Sequence, residues 1–68
     1  MKVGDLIKRK DPLAPYFHDE RKNGAFGLVV ALGHGGNPIR PIASILYPLS
    51  GNQYEIARSL LEVIDESR

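Results

Sequence analysis

The side chains best suited to chemistry in this sequence are cations rather than nucleophiles or acids. Lys8, Arg9 and Lys10 follow one another. Three cations at the end of a strand can contact phosphates, and each contact adds to the salt dependence of binding. The structural alternative is that charged residues mark the point where a strand leaves its sheet and keep an exposed edge from aggregating. The three cations are therefore candidate nucleic-acid contacts with an ordinary explanation beside them.

A glycine-rich segment, Gly33 to Asn37, lies between two apolar runs. Phosphate-binding loops of known type feed their glycines into a helix, whereas here Pro38 and a β-branched run follow. The segment is therefore predicted to be a hairpin turn whose glycines adopt positive φ. We expect His34 at the tip of this turn, where it can contact a nucleic acid or simply be exposed.

Patterns of catalytic and metal-binding residues are missing from the sequence. It contains no cysteine, and its two histidines have no cluster of carboxylates beside them, which excludes disulfides and cysteine-ligated zinc. No nucleophile with a neighbouring base and no carboxylate pair of defined spacing can be assembled. We therefore expect a non-enzymatic protein without catalytic residues, metal or cofactor.

Charge and hydropathy limit the partners. The net charge of +1 is too small for bulk electrostatics to predict nucleic-acid binding. The basic residues concentrate near the start and the acidic residues near the end, a pattern that can join subunits head to tail or simply form a solvated surface. Neither a signal peptide nor a transmembrane run is recognisable. We expect no membrane partner and a cytoplasmic location, with which the lack of cysteine is compatible.

Two strands supply the densest apolar sequence. Ala25 to Leu32 alternates large and small side chains with a period of two, which predicts a strand with one bulky face. We expect this bulky face to be core. Its members are Phe26, Leu28, Val30 and Leu32. The second run, Ile39 to Tyr47, is rich in β-branched and aromatic residues, and Pro38 and Pro41 should make its first pairing one-sided or bulged.

The second strand is apolar on both faces. Ala43, Ile45 and Tyr47 share one face, and Ile42 and Leu46 share the other. A chain of 68 residues forms one domain, buries only about 60% of its extended surface and commonly needs a stabilising partner. Because a strand buried on both sides is implausible in so small a domain, we expect one face to meet another subunit.

The two ends of the chain are less clear. Val3 to Arg9 fits a short first strand, and Asp11 to Asn23 is predicted to be a loop, with room for one helical turn that begins at Pro12 and is capped by Asp11. After the turn signal at residues 48–52, the tail from Tyr54 to Glu66 can form an amphipathic helix. It can equally form two short strands, 53–57 and 60–65, separated by a corner at residues 58–59.

Three pieces of the sequence carry a resemblance. The opening Met1 to Ile7, the middle Ala43 to Pro48 and the ending Leu60 to Arg68 resemble short, uncharacterised proteins of marine phages, of cyanophage type. Those proteins look like Sm-like or SH3-like barrels. The resemblance implies that the tail is two strands and that the fold is all-β, a small five-stranded barrel of this kind. It also implies that the end strands pair between subunits to close a homo-oligomeric ring.

The same resemblance implies site residues. Asn37 is the match to the RNA-binding loop between the second and third strands of Sm-like proteins, although their Asp and Asn pattern is not reproduced. Arg58 matches the arginine of their corner between the fourth and fifth strands, where Ser59 replaces a glycine. A guanidinium there can stack on a base and pair with phosphate. The structural alternative is a surface salt bridge with Glu55 or Glu62.

Two functions follow as expectations. In the first, the chain is a phage-type Sm-like module that binds RNA or single-stranded DNA through Arg58, Asn37, His34 and the basic segment Lys8–Lys10. In the second, it is a structural or adaptor protein of the virion that pairs through exposed strand edges. Both assume self-association. The residues expected at the subunit interface are Ile42, Ile45, Leu46, Tyr47, Leu61 and Val63.

Overall fold

The computed structural model describes residues 1–11 and 24–66, and these form one antiparallel sheet of five strands. The strands are β1 (Leu6–Arg9), β2 (Gly27–Gly35), β3 (Arg40–Tyr47), β4 (Asn52–Ala57) and β5 (Leu61–Asp65). They lie in the order β4-β3-β2-β1-β5. Since β4 and β5 each pair with a single strand within the described ranges, the sheet is not closed. The predicted all-β class and the five strands are confirmed, whereas the helical turn predicted within 11–23 falls almost wholly outside the described residues.

The tail forms two strands rather than a helix. β4 pairs with β3 in a register that places Ala43 opposite Ile56, and β5 pairs with β1. Between them, residues Arg58–Leu60 form a single turn of 3-10 helix, called here the corner turn. The backbone N–H of Lys10 donates to the carbonyl of Leu60 at 2.9 Å and fixes the end of this turn. The prediction of two strands with a corner at residues 58–59 is confirmed.

The core lies on one face of the sheet, to which each strand contributes residues. The fully or almost fully buried apolar side chains are Ile7, Val29, Ala43, Ile45, Tyr47, Ile56 and Leu61. Ala25, Tyr54 and Val63 pack against them while partly exposed. The rings of Tyr47 and Tyr54 meet edge to face, with centroids 5.8 Å apart, a favoured geometry for aromatic pairs.

The prediction of which face of β2 belongs to the core is wrong. Gly27 and Val29 point inward and are buried, while Phe26 and Leu32 are 40% and 37% exposed and Leu28 is half-buried. The inward-facing residue at position 27 has to be glycine, because a Cβ there would collide with the side chain of Ile45. The alternation of large and small side chains is present, but Gly27 and Val29 face the core, where large side chains of β3 fill the space, and Ala31 beyond them is exposed.

A β-bulge changes the phase of β2 further along. Its register against β3 shifts between Val29 and Ala31, so one residue of β2 has no directly opposite partner and the strand bends. The strand then continues to Gly35, and the turn comprises residues 36–39, with Gly36 at φ +91°. His34 therefore lies within the strand, opposite Pro41, and its predicted position at the tip of the turn is wrong.

The start of β3 pairs on one side, as predicted from its prolines. Pro41 lies opposite His34 of β2, and the ladder with β4 begins only at the next residue, Ile42. Proline lacks a backbone donor, so it is tolerated where no second neighbour needs one. The end of the β2–β3 hairpin that leads into the turn consequently extends beyond β4.

The chain enters β1 through a tight turn. Gly4 has φ +97° and donates to the carbonyl of Val29 at 2.8 Å, while the carbonyl of Asp5 accepts from Val29 N–H. The buried carboxylate of Asp5 accepts from the backbone N–H of Lys2 at 2.9 Å. This carboxylate stabilises the turn, because it satisfies a backbone donor inside the loop.

Candidate functional site

Arg58, in the corner turn, is held against the backbone of two other strands. Its Nε donates to the carbonyl of Ile42 at 3.2 Å, and its Nη2 donates to the carbonyl of Gly33 at 3.3 Å. Gly33 and Ile42 lie opposite each other on β2 and β3, so one guanidinium bridges the pair. The predicted alternative, a salt bridge with Glu55 or Glu62, is not formed. These two bonds orient the guanidinium and leave the hydrogens of Nη1 for other acceptors.

A cavity of about 410 Å³ opens beside this guanidinium. It is lined by Pro38, Arg40, Pro41, Arg58 and Ser59, and it is called here the corner pocket. Its walls come from the turn between β2 and β3, from the start of β3 and from the corner turn. Two arginines therefore line one cavity, and its other lining residues are two prolines and a serine.

Arg40 is the residue of this pocket that was missed in the sequence. Within residues 1–11 and 24–66 its side chain has no hydrogen bond or ion pair, and the residue is exposed. An arginine between two apolar or proline neighbours gives little local signal. Only the return of the chain through the corner turn brings it near a second arginine. The pair combines one fixed and one free cation, which suits an anionic ligand.

Asn37 and His34 do not line the corner pocket, but each is next to a proline that does. Asn37 lies in the turn immediately before Pro38, and His34 lies opposite Pro41 on the neighbouring strand. Both residues are exposed. The fold therefore brings three of the predicted contacts, Arg58, Asn37 and His34, to the same end of the β2–β3 hairpin.

The basic segment of β1 is less available than its sequence suggests. Lys8 forms an ion pair with Glu62 at 3.5 Å, and Arg9 Nε donates to the carbonyl of Asp11 at 3.2 Å. Lys10 is joined to the corner turn through its backbone bond with Leu60. None of the three lines the corner pocket. The segment divides into one paired cation, one bonded to the backbone and one adjoining the corner turn.

The six residues predicted at a subunit interface fall into two groups, one buried in the core and one half-buried. Ile45, Tyr47 and Leu61 belong to the core of the single chain, with 0%, 2% and 4% of their surface exposed, so they have no surface to offer a partner. Their burial corrects this part of the prediction. The other three, Ile42, Leu46 and Val63, are half-buried. Ile42 and Leu46 lie on the face of β3 opposite the core, as the alternation predicted.

Sites of other kinds are not found in the part of the chain described. No three histidine, cysteine or acidic side chains lie together there in a way that could hold a metal ion. In the same residues, no helix has the length and apolarity needed to span a bilayer.

Comparison with known proteins finds no match: no protein family, no curated protein and no solved structure is similar to this chain. The function is accordingly argued from the chemistry of the corner pocket and from the open edges of the sheet.

Proposed function

We propose that the protein is a non-enzymatic nucleic-acid-binding module that binds RNA or single-stranded DNA at the corner pocket. The observation that carries the proposal is the pair of arginines, Arg40 and Arg58, on one cavity. Guanidiniums bind phosphate through several donors at once. Arg58 is already oriented by Ile42 and Gly33, so it loses little side-chain freedom when a ligand binds.

Local rather than overall charge supports this choice. With a net charge of +1, the chain has no general attraction for nucleic acid, so binding has to come from cations that converge on one place. Arg40 and Arg58 converge at the corner pocket, and Asn37 and His34 add hydrogen-bonding groups at its border. An interface this small implies weak binding that depends on salt.

The order of the strands supports a barrel of the Sm-like or SH3-like kind. Five short antiparallel strands in the order β4-β3-β2-β1-β5, with a single 3-10 turn between β4 and β5, are compatible with such a barrel left open between its end strands. We propose that these end strands pair between subunits and close a homo-oligomeric ring. The resemblance to marine phage proteins favours a phage-encoded chain that acts in the cytoplasm of the host cell.

Titration with single-stranded RNA and DNA over a range of salt concentrations tests the binding. Arg40→Ala should weaken binding and lower the slope of log K against log salt by about 1, because one phosphate contact is lost. Lys8→Ala is the matched control, since it removes the same charge outside the corner pocket. Equal losses in both variants would indicate diffuse attraction instead. No detectable binding by the wild-type protein at about 50 mM salt would overturn the proposal.

Light scattering at micromolar concentration tests the ring, with and without oligonucleotide in the same sample. The expected mass is that of several subunits of 7.5 kDa each. A strictly monomeric mass under both conditions would remove the ring while leaving the binding proposal to be judged on its own.

The open edges favour a second candidate function. β4 and β5 each have one side without a strand neighbour in the described residues, and such edges can add a strand from another protein. The chain would then be a structural or adaptor protein of the virion. Its presence in purified particles, in a copy number that matches the capsid or tail symmetry, would support this role. Its absence from the particles would exclude it.

A further inference from the structure

The turn that borders the corner pocket carries an apolar side chain in an unusual place. Ile39 is 77% exposed, and its two chain neighbours, Pro38 and Arg40, both line the pocket. Isolated surface apolar residues are common and need no explanation. This one differs because cations and proline rings lie directly beside it.

Apolar and cationic surfaces side by side match a ligand that has both characters. Single-stranded nucleic acid has an anionic backbone and unpaired bases whose faces are free to pack against apolar groups. In a duplex the base faces are stacked on each other, and a protein meets only base edges and backbone. Ile39, at the end of a turn, can therefore pack directly on a base of a single strand, whereas in a duplex the bases would first have to be unstacked.

The cavity is small. Its volume of about 410 Å³ lies near the lower end of the range for small-molecule sites, about 300–1,000 Å³, so only a short part of a longer strand can occupy it at one time. Ile39 does not itself line the pocket, but both of its chain neighbours do, so a strand with a phosphate in the pocket can bring a neighbouring base to its exposed side chain.

We infer that the ligand is single-stranded and that Ile39 packs against one of its bases, while Arg40 and Arg58 hold an adjacent phosphate. The inference rests on the proposed binding at the corner pocket, and it adds the residue that contacts a base and a preference for a single strand over a duplex. Because Ile39 carries no charge, its contribution does not depend on salt, in contrast to that of the arginines.

Ile39→Ser tests the inference, with Leu49→Ser as the matched control. Leu49 is 85% exposed and lies in the turn between β3 and β4, outside the pocket. The probes are oligothymidylate, an abasic strand of equal length and a duplex of equal length. Ile39→Ser should weaken binding to oligothymidylate about five- to tenfold, as expected for a partly buried isoleucine. The salt slope should stay unchanged, and so should the thermal unfolding temperature.

The abasic strand, the duplex and the control variant test whether Ile39 contacts a base. The abasic strand should bind wild type and Ile39→Ser equally, because it retains the phosphates and lacks the base. The duplex should bind more weakly than oligothymidylate, and Leu49→Ser should behave as wild type. The inference is overturned if Ile39→Ser binds oligothymidylate as well as wild type, if Leu49→Ser loses as much, or if the duplex binds at least as tightly. In all three outcomes the wild-type protein still binds, whereas complete failure of the wild type would overturn the proposed function itself.

Discussion

The two ends of the β2–β3 hairpin use glycine in opposite ways. At the start of β2, Gly27 faces the core, and the side chains of Ile45 and Tyr47 occupy the space that a Cβ would need. Near the other end, Gly33 has no atom within 4 Å of the position where its Cβ would lie. Its carbonyl instead accepts a hydrogen bond from Arg58. One glycine makes room for packing, and the other leaves space beside a cation.

The two ends of this pair of strands therefore differ in role: one contributes to stability, and the other can contribute to ligand binding. At the packed end a Cβ on Gly27 would collide with Ile45, so a substitution there has to affect folding. The open end has a cavity, an arginine fixed by two hydrogen bonds and an arginine without a bonded partner among the described residues, so a substitution there can affect ligand binding while the core stays intact. The bulge between Val29 and Ala31 lies at the boundary between the two.

The largest effect is expected when Gly27→Ala is compared with Gly33→Ala. The new Cβ at residue 27 would collide with Ile45, which is fully buried and has no space to move. We expect a loss of about 3 kcal/mol in the free energy of unfolding, near the upper end for overpacking. Gly33→Ala should be neutral or slightly stabilising, because the site is open and alanine restricts the unfolded chain. Urea denaturation measures both variants, and equal stabilities would remove the contrast between the two ends.

A smaller effect is expected at the open end from Arg58→Ala. The variant loses two hydrogen bonds from a charged group to backbone carbonyls, and because the site is partly solvated we expect a cost of about 1–2 kcal/mol. Arg58→Lys should recover little, since a single ammonium does not reproduce the fork of a guanidinium. Arg40→Ala serves as the control and should leave the unfolding temperature unchanged. If Arg58→Ala is as stable as Arg40→Ala, Arg58 does not link the corner turn to the hairpin.

The smallest effect is expected from Lys8→Ala. Lys8 lies on β1 and at neither end of the hairpin. Its ion pair with Glu62 is 3.5 Å long, and both side chains are 44% exposed. Such pairs contribute about 1 kcal/mol or less, and the contribution should vanish at high salt. Thermal unfolding at low and high salt measures it. If Lys8→Ala lowers the free energy of unfolding as much as Arg58→Ala does, the loss in Arg58→Ala reflects the removal of a surface charge and not the loss of its two hydrogen bonds.

Several features of the fold could be predicted from local sequence. Alternation identified the two central strands, and the prolines at 38 and 41 indicated one-sided pairing at the start of β3. The tail was ambiguous by periodicity, and only the resemblance favoured two strands. The core face of β2 was assigned incorrectly because side-chain size along one strand does not reveal which face its neighbour fills. Ile45 and Tyr47 of β3 decide that, and they place Gly27 inside.

The candidate site was only partly predictable. Arg58 could be proposed by resemblance and Asn37 by its place in a turn, but Arg40 carried no signal. The hydrogen bond from Arg58 to Gly33 joins residues 25 positions apart, and no local pattern specifies such a contact. Because a pocket forms only when distant segments meet, its lining follows from the return of the chain and not from any one stretch.

The sequence by itself determined that the middle of the chain is two strands with a turn near Asn37, because alternation and turn residues act locally. It also determined that charge is too nearly balanced for general attraction to nucleic acid. The tertiary structure decided which face of β2 is core, which predicted interface residues are buried and which cations converge. These depend on register and on long-range packing, and a shift of one residue reverses every side chain of a strand.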